Sequence, residues 1–341
     1  MSLPLASMAS IMPRVYSLVL VLGLVLLTSI DVAAQNWTPP RTPDGHPDLQ
    51  GVWTNATVSP LQRPPELGDK EFFTAEEAAA YEKQRVQQSN ADLAVVQRGA
   101  PQVGSYNNFW TDRGNRVSTM RTSLIMDPPD GRVPPLTEAA QKRLAAARAE
   151  LAQHPSDGPE DRNLTERCIL FGAAGPPMFP EPYNNNYEFV QSPGTLAIAV
   201  EMNHETRVIP LDGSPHLPSQ IRQWTGDPRG HWEGDTLVVD TTNFKFNNQS
   251  RFGVAYLDGM SDENLHVTER FRRTGPDTLM YQATVDDPTV FTKPWTVEIS
   301  MTKRTGRIFE YACHEGNYGL MDILAGARAE EKKAAASAAK P

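Results

Sequence analysis

The sequence predicts a mainly β protein: an antiparallel, lipocalin-like barrel, with a β-sandwich as the alternative, and two peripheral helices. Three observations carry that expectation. Between Tyr187 and Cys313, short runs rich in Val, Ile, Thr and aromatic residues recur, which is the composition of strands. The links between them are tight, as at Ser192-Pro193-Gly194, Glu233-Gly234-Asp235, Gly275-Pro276-Asp277 and Arg304-Thr305-Gly306, and tight turns join antiparallel neighbours. Finally, 29 prolines and 23 glycines in 341 residues interrupt helix too often for a bundle,. So many short strands must stack as two sheets or close on themselves to hide their edges.

The elements follow in order. The first 34 residues hold Arg14, an apolar run from Val15 to Ile30, and the small residues Val32-Ala33-Ala34 before Gln35. That is the pattern of a cleaved secretory signal. The alternative is an uncleaved N-terminal anchor helix, for which the run is shorter than the roughly 20 apolar residues a bilayer core requires; once the signal is removed no membrane span is expected. Residues 35–180 read as a wrapping segment with two helices. Its start, Gln35 to Glu71, is crowded with X-Pro steps that favour extended backbone, with one short strand at Gln50 to Thr54. Thr74 and Glu77 have capping-box spacing and open a helix to Gln88,. Met120 to Met126 is a possible strand, stopped by Asp127-Pro128-Pro129. Thr137 opens a second helix, ended at His154-Pro155, with Leu136, Ala140, Leu144, Ala147 and Leu151 on one face,.

Residues 181–326 carry the expected barrel, in strands at Tyr187-Gln191, Thr195-Met202, Thr206-Pro210, Thr236-Thr242, Leu265-Arg273, Thr278-Val285, Trp295-Lys303 and Ile308-Cys313. Residues 327–341, rich in Ala, Lys and Glu without an apolar face, are expected to be a disordered tail. No fixed-period repeat is present, which argues against a propeller or solenoid.

Charge limits the partners. With 32 basic against 41 acidic residues, a net charge of -9 repels phosphate backbones, and no basic patch offsets it, so no nucleic acid is expected. Cys168 and Cys313 are the two cysteines. In an oxidising compartment they can pair in one disulfide, the alternatives being two buried free thiols or a reactive nucleophile, for which no family signature surrounds either cysteine.

Strand alternation exposes polar residues in unexpected places. Leu265, Val267, Glu269 and Phe271 share one face, with His266, Thr268 and Arg270 on the other. A carboxylate among apolar neighbours needs an arginine, histidine or hydroxyl beside it. Ile308, Glu310, Ala312 and His314 line up on the expected last strand, which breaks into His314-Glu315-Gly316-Asn317-Tyr318. A histidine at a strand end can serve as general base with a carboxylate orienting it, which makes His314, Glu315 and Glu269 the candidate catalytic residues. Tyr183, Asn185, Tyr187, His266, Asn317 and Tyr318 are candidate ligand contacts, amides bonding a guest while rings cover it. The competing reading of Tyr183-Asn184-Asn185-Asn186-Tyr187 is an asparagine-rich turn that satisfies its own backbone. Glu181 belongs to the same polar concentration, as do Glu201, Asn203, His204, Glu205, Arg207 and His216. No helical zinc motif, phosphate loop, dinucleotide fingerprint or nucleophile elbow is present. The seven histidines show no ligand spacing, so neither a metal nor a cofactor is expected.

Four segments, Pro43-Asp44-Gly45-His46-Pro47-Asp48-Leu49-Gln50-Gly51-Val52-Trp53, Tyr183-Asn184-Asn185-Asn186-Tyr187, Gly230-His231-Trp232-Glu233-Gly234-Asp235-Thr236-Leu237-Val238-Val239-Asp240-Thr241-Thr242-Asn243-Phe244 and Tyr311-Ala312-Cys313-His314-Glu315-Gly316-Asn317-Tyr318, resemble those of a large family of exported bacterial proteins. The resemblance spans nearly the whole chain after the signal. It implies a periplasmic or secreted bacterial protein and carries over no catalytic residue. The expectation is an exported β-barrel that binds a small amphipathic or aromatic ligand. The alternatives are an exported hydrolase or lyase using His/Glu acid-base catalysis, and a structural envelope protein; the oligomeric state is left open.

Overall fold

The computed structural model describes residues 37–90, 92–93, 108–245 and 264–339. The chain divides into two compact units, residues 1–38 and 39–341. Of the first, only residues 37–38 are described, and the expected signal segment at 1–34 lies outside the described residues. The architecture that follows is that of the second unit.

The described residues form ten strands: β1 Gly51–Thr54, β2 Ile125–Asp127, β3 Asn186–Ser192, β4 Thr195–Val200, β5 Thr206–Pro210, β6 Asp227–Glu233, β7 Thr236–Thr242, β8 His266–Gly275, β9 Thr278–Asp286 and β10 Trp295–Arg304. They make one antiparallel sheet in the order β5-β4-β3-β1-β10-β9-β8-β7-β6, with β2 pairing β10 off that path. The mainly β expectation therefore holds, and the hairpin turns at 192–194, 233–235 and 275–277 fall between paired strands.

Among the described residues the hydrogen-bonded ladder does not close into a barrel, since β5 and β6 end the path without pairing. The sheet curls all the same. Phe189 on β3 meets Phe271 on β8 edge to face at 5.6 Å, and Gly230 on β6 lies so close to β5 and its end that a Cβ there would sit 3.1 Å from Ile209 Cγ2 and 2.4 Å from Leu211 Cδ2. The inner face is filled by its own side chains: Trp53, Tyr187, Phe189, Phe271, Tyr281 and Trp295 are all fully buried, each worth about 1.5–3 kcal/mol of apolar burial.

Three features differ from expectation. β1 lies between β3 and β10, so the N-terminal segment supplies a central strand rather than only wrapping the sheet. β6 carries Pro228 and Gly230, which mask its strand character; as an edge strand paired only with β7 it tolerates the missing amide,. The strand expected at Ile308-Cys313 does not form. β10 is already flanked by β1 and β9, so the chain leaving Gly306 finds no open edge beside it.

Among the described residues the α-helices are α1 Ala75–Gln88, α2 Glu138–Gln153 and α3 Tyr318–Ala338. Both halves of the Thr74–Glu77 capping box are made, at 3.3 and 2.8 Å. Thr137 caps Ala140 at 3.1 Å and donates to Thr289 O at 3.0 Å, fixing α2 to the β9–β10 connection. The tail expected to be disordered from residue 327 is instead the second half of α3. Ala, Glu and Lys are strong helix formers, and Arg328 anchors the helix by donating to Asp157 O and Ser156 O at 2.8 and 3.0 Å. Cys168 and Cys313 form the disulfide, with a Cα separation of 5.6 Å. No described helix is long and apolar enough to cross a membrane.

Candidate functional site

A cavity of about 220 Å³ opens among Thr57, Ser59, Leu61, Arg85, Arg113 and Phe179, with Glu181 on its wall. Five separate stretches of chain line it, at 57–61, 85–89, 113, 124 and 179–182. Residues 60–61 accept from the amides of Leu124 and Ile125 at 2.9 and 3.1 Å, Val58 donates to Arg116 O at 3.0 Å, and Asp112 donates to Pro182 O at 2.9 Å. Gly114, at a positive φ of +73°, passes so close to the 56–57 backbone that a Cβ would sit 2.7 Å from Ala56 C. Phe179 forms an apolar wall, its ring parallel to that of Trp295 at 6.3 Å.

Glu181 is the chemically unusual member. Burial pushes its carboxyl up to about 7, and a bond from the Gly172 backbone amide only partly offsets this. A neutral carboxyl is favoured wherever water is excluded and no cation compensates. Its backbone is held by Asn185, whose Oδ1 accepts from the Glu181 amide at 2.7 Å and whose Nδ2 donates to Glu181 O and Asp112 O, each at 2.7 Å. All of Asn185's bonds go to the backbone, so it acts as the internal brace of an asparagine-rich turn and positions Glu181.

The other sequence-derived candidates are dispersed. Glu269 is fully buried on the inner face of β8. One oxygen accepts from Arg207 Nη1 at 3.0 Å and from the Tyr281 hydroxyl at 2.9 Å, and the other pairs with Arg207 Nη2. The alternation argument required an arginine or a hydroxyl there, and both are present. Breaking such a pair leaves a buried charge at a cost of about 3–5 kcal/mol, which suits a structural brace better than a proton shuttle. The Tyr281 hydroxyl accepts from the Met178 amide at 2.9 Å, and burial drives its pKa well up.

Tyr187, also fully buried, donates to Ala173 O at 3.1 Å and accepts from Asn55 at 3.0 Å. Tyr183 stacks on Tyr311 at 6.3 Å. Asn317 donates to Glu166 O at 3.0 Å and to Cys168 Sγ at 3.3 Å, beside the disulfide. Tyr318 is exposed. His314 and Glu315 are exposed as well, and neither side chain has a hydrogen-bond or ion-pair partner among the described residues. The proposed His314–Glu315–Glu269 set is thus not assembled.

His266 belongs to a different array. Its Nε2 bonds Asp240, whose other oxygen faces His216 Nε2 at 2.9 Å; His216 Nδ1 meets Asp227 at 3.0 Å, and Arg229 closes the row on Asp227 at 2.7 Å. The bond to Asp240 raises the His266 pKa against the effect of burial, and Asp240 is lowered in turn by its bond to His266. Among the described residues, no group of three or more His, Cys, Asp or Glu side chains is placed to hold a metal ion.

In the sequence Glu181 stands out only as part of a polar stretch, and Arg85, Arg113 and Phe179 carry no motif. The one local signal was a carboxylate set between Pro180 and Pro182 with no cation beside it. No protein-family model, curated protein or solved structure matches this chain, so a functional reading rests on geometry alone.

Proposed function

We propose that this chain is an exported, lipocalin-like β protein that binds a small amphipathic or aromatic ligand, held in the cavity around Glu181 rather than inside the curled sheet. The observation that carries this reading is a cavity, walled in part by Leu61, Leu124 and Phe179, that contains a carboxyl whose pKa burial raises to about 7; a strongly perturbed group in a cleft is a candidate functional site. The cavity, at about 220 Å³, is smaller than the roughly 300–1,000 Å³ of sites for drug-sized molecules, which favours a guest of one ring or a short branched chain. The test is a thermal-shift panel of indole, benzyl alcohol, benzoate and short fatty acids. At least one class should raise the melting midpoint, as mass action requires, and L61W, which fills the cavity, should abolish that rise. A flat panel, or a rise that L61W leaves intact, would leave the structural envelope protein as the better reading.

The same carboxyl favours a second reading, an exported hydrolase or lyase in which Glu181 replaces His314, Glu315 and Glu269 as the proton-transfer group, since general acid–base groups work best with a pKa near the operating pH. Turnover of p-nitrophenyl esters that E181Q abolishes would select it over the carrier.

A further inference from the structure

The chemistry lining the cavity narrows the guest further. The chain as a whole carries a charge of -9, yet this cavity is lined by two arginines and a single acid. Among the described residues, neither arginine makes an ion pair. Arg85 has one long hydrogen bond, to Gln88 at 3.4 Å, and Arg113 has no side-chain hydrogen bond. Glu181 does not neutralise them: burial outweighs every other influence on it, and neither guanidinium contributes to its shift. The cavity therefore presents two guanidinium groups without an ion-pair partner among the described residues, together with the apolar surface of Leu61, Leu124 and Phe179.

We propose that the ligand is a small aromatic or branched aliphatic carboxylate, its hydrocarbon part against Phe179, Leu61 and Leu124 and its anionic end toward Arg113 and Arg85. This inference rests on the binding reading above. Guanidinium groups recognise carboxylates by charge-assisted, often bidentate bonds, and an amphipathic guest of this kind meets both the charged and the apolar residues of the lining. A cation has no charged partner here except Glu181, whose environment disfavours the charged form that a cation needs. Glu181 gives the proposal a signature. A bound anion stabilises its protonated form, so binding takes up a proton, and affinity must fall as pH rises through neutrality. A neutral guest has little such dependence, and a cationic guest has the opposite one.

The experiment is titration calorimetry of the full chain with benzoate, benzyl alcohol and benzylamine at pH 6, 7 and 8. Benzoate should bind more tightly than the other two. Its affinity should fall with pH, by at most about tenfold per unit for one linked proton, and buffers of different ionisation heat should register proton uptake. R113Q should weaken benzoate at least tenfold while leaving benzyl alcohol unchanged. E181Q should retain benzoate binding but flatten its pH dependence, a readout that loss of folding cannot imitate. Tighter binding of benzyl alcohol or benzylamine, or benzoate affinity that rises with pH, would overturn the carboxylate assignment while leaving the binding function standing. No binding of any of the three would remove both.

Discussion

Glu181 illustrates how a single side chain can weaken the fold that holds it. Its folded carboxyl titrates near 7, well above an unfolded glutamate. Between about pH 4.5 and 7 the folded state therefore holds more protons than the unfolded one, and its contribution to stability declines as pH rises across that window before levelling off. E181Q removes this effect. The variant should match the parent below pH 4.5 and exceed it above pH 7 by up to about 3 kcal/mol, as followed by urea unfolding at several pH values. A parent no less stable than E181Q at pH 8 would contradict the buried, unpaired character assigned to the carboxyl. Stability set aside at a working site is a familiar exchange. The cavity in which Glu181 lies is walled by residues 57–61, 85–89, 113 and 124, distant in the chain, which is why nothing next to Glu181 announces its burial. Glu269 was legible for the converse reason: period-two alternation placed it on the apolar face of its own strand, and the demand for a partner was met by Arg207 and Tyr281.

At the scale of elements, the row from Arg229 through Asp227, His216 and Asp240 to His266 ties the 211–226 connection to β6, β7 and β8. Both ring nitrogens of His216 face carboxylate oxygens, and the Leu217 amide also donates to Asp227 at 2.8 Å. H216N should raise amide exchange across 211–226 by on the order of tenfold, the worth of one or two hydrogen bonds, with the β9 and β10 amides unchanged. The groups facing this row are Asp227, Asp240, Asp286 and Arg229. His266 has a raised pKa, so its contribution is complete below the unfolded histidine value and is lost as pH climbs through the raised one. Asp240 has a lowered pKa, so its contribution persists above the unfolded aspartate value and is lost as pH falls through the lowered one. Protection of the connection should accordingly peak between the two, and protection that grew steadily into alkaline solution would refute the arrangement. Strands with clean alternation, such as β9 and β10, were readable within a residue or two of their ends. β6 was not, because its proline and glycine answer to an edge position and to the close approach of Leu211. The run at 308–313 had a strand's composition, but local pattern cannot report that both sides of β10 are taken.

For the whole molecule, the links that matter join distant parts of the chain. The disulfide closes a span of 145 positions, which in the chain-entropy account restricts the unfolded ensemble by about 5 kcal/mol. The C168S/C313S double variant should lose several kcal/mol in denaturant unfolding, and an unchanged midpoint would show that the reduced chain is already constrained. Stretches singled out in the sequence also meet in space. His46 stacks on Trp232 at 4.8 Å, joining residues 43–53 to 230–244, and Tyr183 stacks on Tyr311 at 6.3 Å, joining residues 183–187 to 311–318. The sequence displayed these segments without indicating which belonged together. The position of β1 has a further consequence. Trp53 is matched with Tyr187 on one side and Lys303 on the other, so a chain lacking residues 48–60 would be left with a slot one strand wide through the middle of its sheet. A synthetic peptide of that sequence, added in trans, would have two rows of amides and carbonyls waiting for it, and the protein could be split there and reassembled from its pieces.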